Sequence, residues 1–141
     1  MAINTPKVLV GGLAAGVVAN ILGFLLFGLW LGPRMEGEAM SVAPSLQDRS
    51  MSGTAIGINV IAQFITGLLL VWLYAAIRPR FGPGMKTATY AALVVWLCGF
   101  IFHLDWLIMG LMSNGTYALA SIAALIQVVS AAGVGAALYK E

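Results

Sequence analysis

Charge is what this 141-residue chain has least of: Asp, Glu, Lys and Arg make up only 9% of it, and hydrophobic residues make up 61%. A soluble domain carries about 25% charged residues. The shortfall excludes a water-exposed globular fold and leaves no room for a soluble catalytic domain. Cysteine is nearly absent too. The single one, Cys98, can form no intrachain disulfide, and it is expected to be a buried, inert thiol inside an apolar run. There is one histidine, His103. A metal centre needs three or four ligands, so this chain alone is not expected to build one. No nucleophile has a base beside it, which removes triad chemistry. The Gly-Pro-Gly at 82–84 lacks the spacing of a phosphate-binding loop and reads as a tight turn. Small four-span drug exporters use a carboxylate embedded in their first span. The first apolar run here has none, which disfavours proton-coupled export.

What the chain does have is four long apolar runs, at 8–31, 54–77, 87–112 and 118–139. A bilayer core takes about 20 apolar residues per helical span. The expected fold is therefore an all-α membrane protein: one membrane domain over 1–141, four transmembrane helices in an antiparallel bundle. The first run is too long for the apolar part of a signal peptide and reads as an uncleaved helix. Gly32-Pro33 should end span one and Arg78-Pro79 span two, since proline breaks the helical ladder. The outer connection 32–53 holds most of the remaining polar residues, with a short surface helix expected after Pro44. Ser113-Asn114-Gly115 is a turn signal.

Orientation follows from Lys and Arg. Lys7, Arg78, Arg80, Lys86 and Lys140 fall on one side and Arg34 and Arg49 on the other, five against two. Both termini are thus expected in the cytoplasm. Trp30, Trp72, Tyr74, Trp106, Tyr117 and Tyr139 lie near span ends, as interfacial aromatics do. A faint repeat supports two similar hairpins: Gly23-Phe24 with Trp30-Leu31 matches Gly99-Phe100 with Trp106-Leu107.

Three runs carry an uncharged amide near mid-depth: Asn20, Gln63 and Gln127. At about 1.5 Å rise per residue, Asn20 lies about 18 Å into span one, and each glutamine about 13 Å into its span. Each sits on a face of small residues spaced by four: Gly12, Gly16 and Asn20; Asn59, Gln63 and Gly67; Ala123, Gln127, Ala131 and Gly135. Such faces let helix backbones approach, and the amide then bonds across the contact. The plain reading of Asn20, Asn59, Gln63 and Gln127 is a packing layer. The sharper reading is a ligand or transport path, because intramembrane polar groups mark function. A third is a docking face for another subunit.

Span three alone carries ionisable groups. Asp105, within two turns of the outer end, is expected to meet water or to pair with Arg34 or Arg49. His103 points to nearly the opposite side of the helix, so the two make no acid–base pair. A macrocycle needs only one axial imidazole. Gly99 and Trp96 lie one and two turns from His103, with Trp106 close by, so haem or chlorophyll at His103 is an alternative to the expectation of no cofactor. A second axial ligand would have to be Met109 or Met112 of the same helix. The turn RPRFGPGMK carries Arg78, Arg80 and Lys86, which can contact anionic lipid head groups.

The hairpin WLYAAIRPRFGPGMKTA (Trp72–Ala88) and the ending Ala137-Leu138-Tyr139-Lys140-Glu141 resemble a group of uncharacterised small four-helix bacterial inner-membrane proteins. The resemblance implies a multi-pass bacterial inner-membrane location and no activity. The functional expectation is a non-enzymatic accessory or structural subunit of a larger membrane assembly, such as a photosynthetic or respiratory energy-converting complex. A small oligomeric transporter or channel using the amide layer is the alternative. Expected partners are membrane lipids and other integral membrane subunits or further copies of the chain, not nucleic acid.

Overall fold

The computed structural model describes residues 3–46 and 52–139, which leaves Arg49, Met51 and Lys140 outside the described residues. Every regular element described is helical. In chain order they are α1 (Thr5–Gly23), a π-helical stretch (Phe24–Trp30), α2 (Gly32–Val42), a 3-10 turn (Pro44–Leu46), α3 (Gly53–Phe81), α4 (Met85–Phe102), α5 (Leu104–Ile108) and α6 (Asn114–Leu138). Four helical stretches are long and apolar enough to cross a membrane: Thr5–Trp30, Gly53–Phe81, Met85–Ile108 and Asn114–Leu138.

α1 is the hub of the bundle and packs on both α3 and α6. The reason is its small residues. Gly12 sits against Leu68 and Gly16 against Phe64. A Cβ on Gly67 would overlap the backbone of Gly12 and Gly16. On the adjoining face a Cβ on Gly11 would come within 2.7 Å of the Gly135 carbonyl oxygen. Around these contacts lies a core made mostly of alanine: Ala15, Ala19, Ala88, Ala91, Ala131 and Ala132 are all at most 1% exposed, with Leu70 and Val71 fully enclosed. Lipid tails are as apolar as any core side chain, so close van der Waals contact of this kind is what can hold such helices together in a bilayer.

Leu31, Met112, Thr116 and Tyr117 are buried at one end, but the main core cluster lies at the other. Burial on α1 stops at Ala19, begins on α3 at Gly67 and ends on α4 at Ala92. That end is closed by tyrosines. Tyr139 accepts a hydrogen bond from the Asn4 amide at 3.1 Å, and Tyr74 accepts one from the Gly84 amide at 3.1 Å. The two rings meet edge to face at 6.0 Å, and the Arg78 guanidinium lies 5.7 Å from the Tyr139 centroid. The α3–α4 turn is pinned as well: Thr87 Oγ1 donates to the Gly82 carbonyl at 2.6 Å, and Gly82 and Gly84 take φ of 82° and 113°, values that favour glycine.

Several boundaries differ from the sequence expectation. Pro79 does not stop the second long helix, which runs to Phe81, with Arg78 O accepting from Gly82 N at 2.8 Å. A proline in the last turn forfeits only one ladder bond. Pro33 opens α2 instead of merely ending span one, because the first turn of a helix needs no N–H there. A helix precedes Pro44, a 3-10 turn begins at it, and the rest of the segment expected to be helical, 47–51, lies outside the described residues. The third run breaks at His103 (φ −94°, ψ 5°) into α4 and α5. Tyr74, Tyr117 and Tyr139 are buried within the bundle, unlike the exposed Trp30 and Trp72, and Cys98 is exposed on α4 instead of enclosed.

If the glycine interlock carries the bundle, Gly67→Ala should destabilise it by about 1–3 kcal/mol, the usual cost of overpacking. Gly57→Ala, where an added Cβ meets nothing within 4 Å, should be neutral. Reversible unfolding in bicelles compares the two, and equal stabilities would contradict the interlock.

Candidate functional site

At the other end the helices part. The π-helical stretch begins after Gly23, and its wide turn is closed by Leu31 N donating to Leu26 O at 2.9 Å. Such turns occur often at functional sites. Gly23 is where the glutamines meet: a Cβ there would lie 2.9 Å from Gln127 Nε2 and 3.4 Å from Gln63 Nε2. Beyond this point a cavity of about 460 Å³ opens between α3, α4 and α6, within the 300–1,000 Å³ range of small-molecule sites. Asn59, Gln63 and Thr66 line it from α3. Trp96, Gly99 and His103 line it from α4, with Trp106 of α5 beside them. Tyr117, Ser121 and Gln127 line it from α6, while Met35 of α2 reaches in from above.

The amides are not equivalent. Gln127, 5% exposed, donates from Nε2 to the Ala19 carbonyl of α1 at 2.7 Å. Asn20 donates from Nδ2 to Gly16 O at 2.9 Å in its own helix and to Val60 O of α3 at 3.3 Å. These two tie α1 to its neighbours, and Gln127 also lines the cavity. Gln63 and Asn59, one turn apart on α3, make no side-chain hydrogen bond among the described residues. Gln63 is half-buried and Asn59 exposed. The cavity thus has two amides with unused donors and acceptors.

The opposite wall is held by α6. Trp96 Nε1 donates to the Ser121 carbonyl at 2.8 Å, and Tyr117 Oη donates to the Phe100 carbonyl at 2.5 Å. These bonds fasten α4 to α6, so the gap falls between α4 and α3. A carbonyl can only accept, and Gly99 O lies 2.7 Å from His103 Nδ1. Nδ1 therefore carries the proton of the neutral ring, and Nε2 keeps its lone pair. The His103 ring lies edge-on to Trp106 at 5.9 Å. Gly99 leaves the space below it open, since an added Cβ meets nothing within 4 Å. This geometry suits an imidazole that accepts a proton or ligates a ring-bound metal.

The outer rim is built by charge. Glu38 of α2 reaches the start of α6: its carboxylate accepts from the Ser113 amide at 2.8 Å, from Thr116 Oγ1 at 2.6 Å and, at 3.0 Å, from Ser113 Oγ. Arg34 donates from Nε to Thr116 Oγ1 at 2.6 Å and lies 3.4 Å from Glu38 Oε1. Ser113 is also the N-cap of α6, with Oγ accepting from Thr116 N at 3.3 Å. A carboxylate is favoured at a helix N-terminus. This clasp holds α2, and Met35 with it, over the cavity.

The clasp corrects the expected partnership of Arg34. Asp105 is exposed and its only described side-chain bond is the one it accepts from the Trp106 amide at 2.9 Å; Arg34 is engaged by Glu38 and Thr116, and Arg49 lies outside the described residues. Glu38 was not expected as a partner. Its signal, a Glu four residues after an Arg, marks a helix face but not which distant turn that face meets. Among the basic-turn residues Arg80 and Lys86 are exposed, with Lys86 Nζ 6.0 Å from the Tyr90 ring, whereas Arg78 is partly covered by Tyr139. No family model, curated protein or solved structure matches this chain.

The backbone amide of Ser113, then the Thr116 hydroxyl, lower Glu38 from an ordinary 4.5 to about 2. A carboxylate with a depressed folded value contributes stability above its unfolded value and loses it as pH falls through the folded one. Docking of α2 should therefore be complete above about pH 4.5 and weaken as pH falls toward 2. A spin label on α2 should show this loosening, and Glu38→Gln should be loose at every pH. A wild-type signal that does not change between pH 5 and about 2 would contradict the clasp.

Proposed function

We propose that this chain is a non-enzymatic, four-span integral protein of a bacterial inner membrane whose work is to bind a small lipid-soluble ligand in its outer half. The observation that carries the reading is the cavity bordered by Asn59 and Gln63 with unused hydrogen-bonding capacity. In hydrocarbon an amide without a partner costs several kcal/mol, and an occupant with a polar head removes that cost. Gln127, bonded to α1 at the Ala19 carbonyl and set over a core of alanine and glycine, supports a blind pocket more than a channel through one copy. An antiparallel arrangement with both termini cytoplasmic is supported by the contact order, in which Gly12, Gly16 and Asn20 meet Leu68, Phe64 and Val60, and by the five-to-two split of basic residues.

A second reading keeps the chain as an accessory subunit of a larger, energy-converting assembly. Its support is the outer half of α3, where Gly57 and Asn59 are exposed and an added Cβ on Gly57 meets open space. A helix of another subunit can approach closely there.

Purification from native membranes in mild detergent separates the two. Binding predicts a small molecule in the organic extract at near one per chain, lost in Gly99→Leu, whose side chain projects into open space. Wild-type protein that yields no such molecule but brings a constant set of membrane subunits supports the second reading and overturns the first.

A further inference from the structure

The walls of the cavity also restrict what enters it. In the neutral His103 ring Nδ1–H faces the Gly99 carbonyl at 2.7 Å, which places the lone pair on Nε2. It can be matched by a donor or a metal. Across the gap Gln63 offers an amide that both donates and accepts. Between them the surface is aromatic: Trp96 and Phe100 lie with centroids 5.6 Å apart, and Phe100 lies 5.3 Å from Tyr117. A hydroxyl is the simplest group that serves both walls, since it donates to one partner and accepts from another. A flat ring suits aromatic neighbours, which pair by stacking or edge contact.

Resting on the binding reading above, we propose that the occupant is a lipid-soluble ring bearing a hydroxyl, a phenol or quinol, whose O–H donates to His103 Nε2 and whose oxygen accepts from Gln63 Nε2. Haem meets the histidine but leaves the amides of α3 unmatched, so the hydroxylated ring accounts for more of the wall. The ring enters from the bilayer between α3 and α4, because the bonds from Trp96 and Tyr117 close the side toward α6.

Trp96 and Trp106 are native reporters. Trp30 and Trp72, the other two tryptophans, are exposed at 59% and 51%, and Trp30→Phe with Trp72→Phe confines the fluorescence to the cavity. The probes are a 4-bromophenol carrying a short alkyl chain ortho to its hydroxyl and the corresponding methyl ether, which keeps the ring and bromine but lacks the donor. In protein reconstituted into vesicles, the phenol should quench saturably. The ether, and the phenol with His103→Leu or Gln63→Leu, should each bind roughly tenfold more weakly, the scale of one hydrogen bond. Saturable quenching that is equal for phenol and ether overturns the hydroxyl assignment and leaves the binding reading standing. Quenching that only rises linearly with both probes, as partition into lipid gives, overturns both. A Soret band in protein purified from its native membrane, lost in His103→Leu, overturns the phenol in favour of haem.

Discussion

Everything in this molecule depends on how closely α1 can approach α3 and α6. The approach is set by missing side chains: Gly67 lies against the backbone at Gly12 and Gly16, and Gly11 against that at Gly135. Burial of apolar area cannot supply this attraction in a bilayer, because the competing solvent is equally apolar. Contact density can, and it is greatest between flat, small surfaces. The two amide bonds to Ala19 and Val60 carbonyls add register to that contact. Bonds of this type average about 0.6 kcal/mol in membrane proteins, so they select the alignment more than they supply the strength.

The same economy of side chains explains why the bundle is open at one end. Alanine and glycine fill the space between helices only where the axes stay close. Past Gly23 the first helix becomes π-helical with no buried residue, and the bonds of Trp96 and Tyr117 hold α4 against α6. The cavity is thus the space left where the close contacts of α1 with α3 and α6 end. Its polar rim is held by Glu38 and Arg34, residues of α2 that bond to the start of α6.

Much of the architecture is legible in residue types alone. Long apolar runs mark the four long helices, and glycines spaced by four mark the faces that meet. The meeting of Gln63 and Gln127 beside Gly23 follows from their depths. Other features are not legible, for physical reasons. Nothing local distinguishes FLLFGLW as π-helical from the same residues in an α-helix; the wider turn comes from tertiary context. Pro79 reads as a stop, yet a last-turn proline sacrifices little. Whether Gln63 is partnered or free depends on where α4 leans, which is decided by Trp96 and Tyr117 on carbonyls far along the chain. The clasp pairs residues 75 and more positions apart, which no periodicity encodes.

The tyrosine-pinned end and the clasped end also differ in sign. Among the described residues, the former holds Lys7, Arg78, Arg80 and Lys86 with no carboxylate, and the latter holds Glu36, Glu38 and Asp105 against Arg34 alone. On those residues the two ends of the bundle carry opposite formal charge. In any bilayer that sustains a voltage, the two ways of threading such a bundle would differ in energy, by about 2.3 kcal/mol for each elementary charge carried across 100 mV.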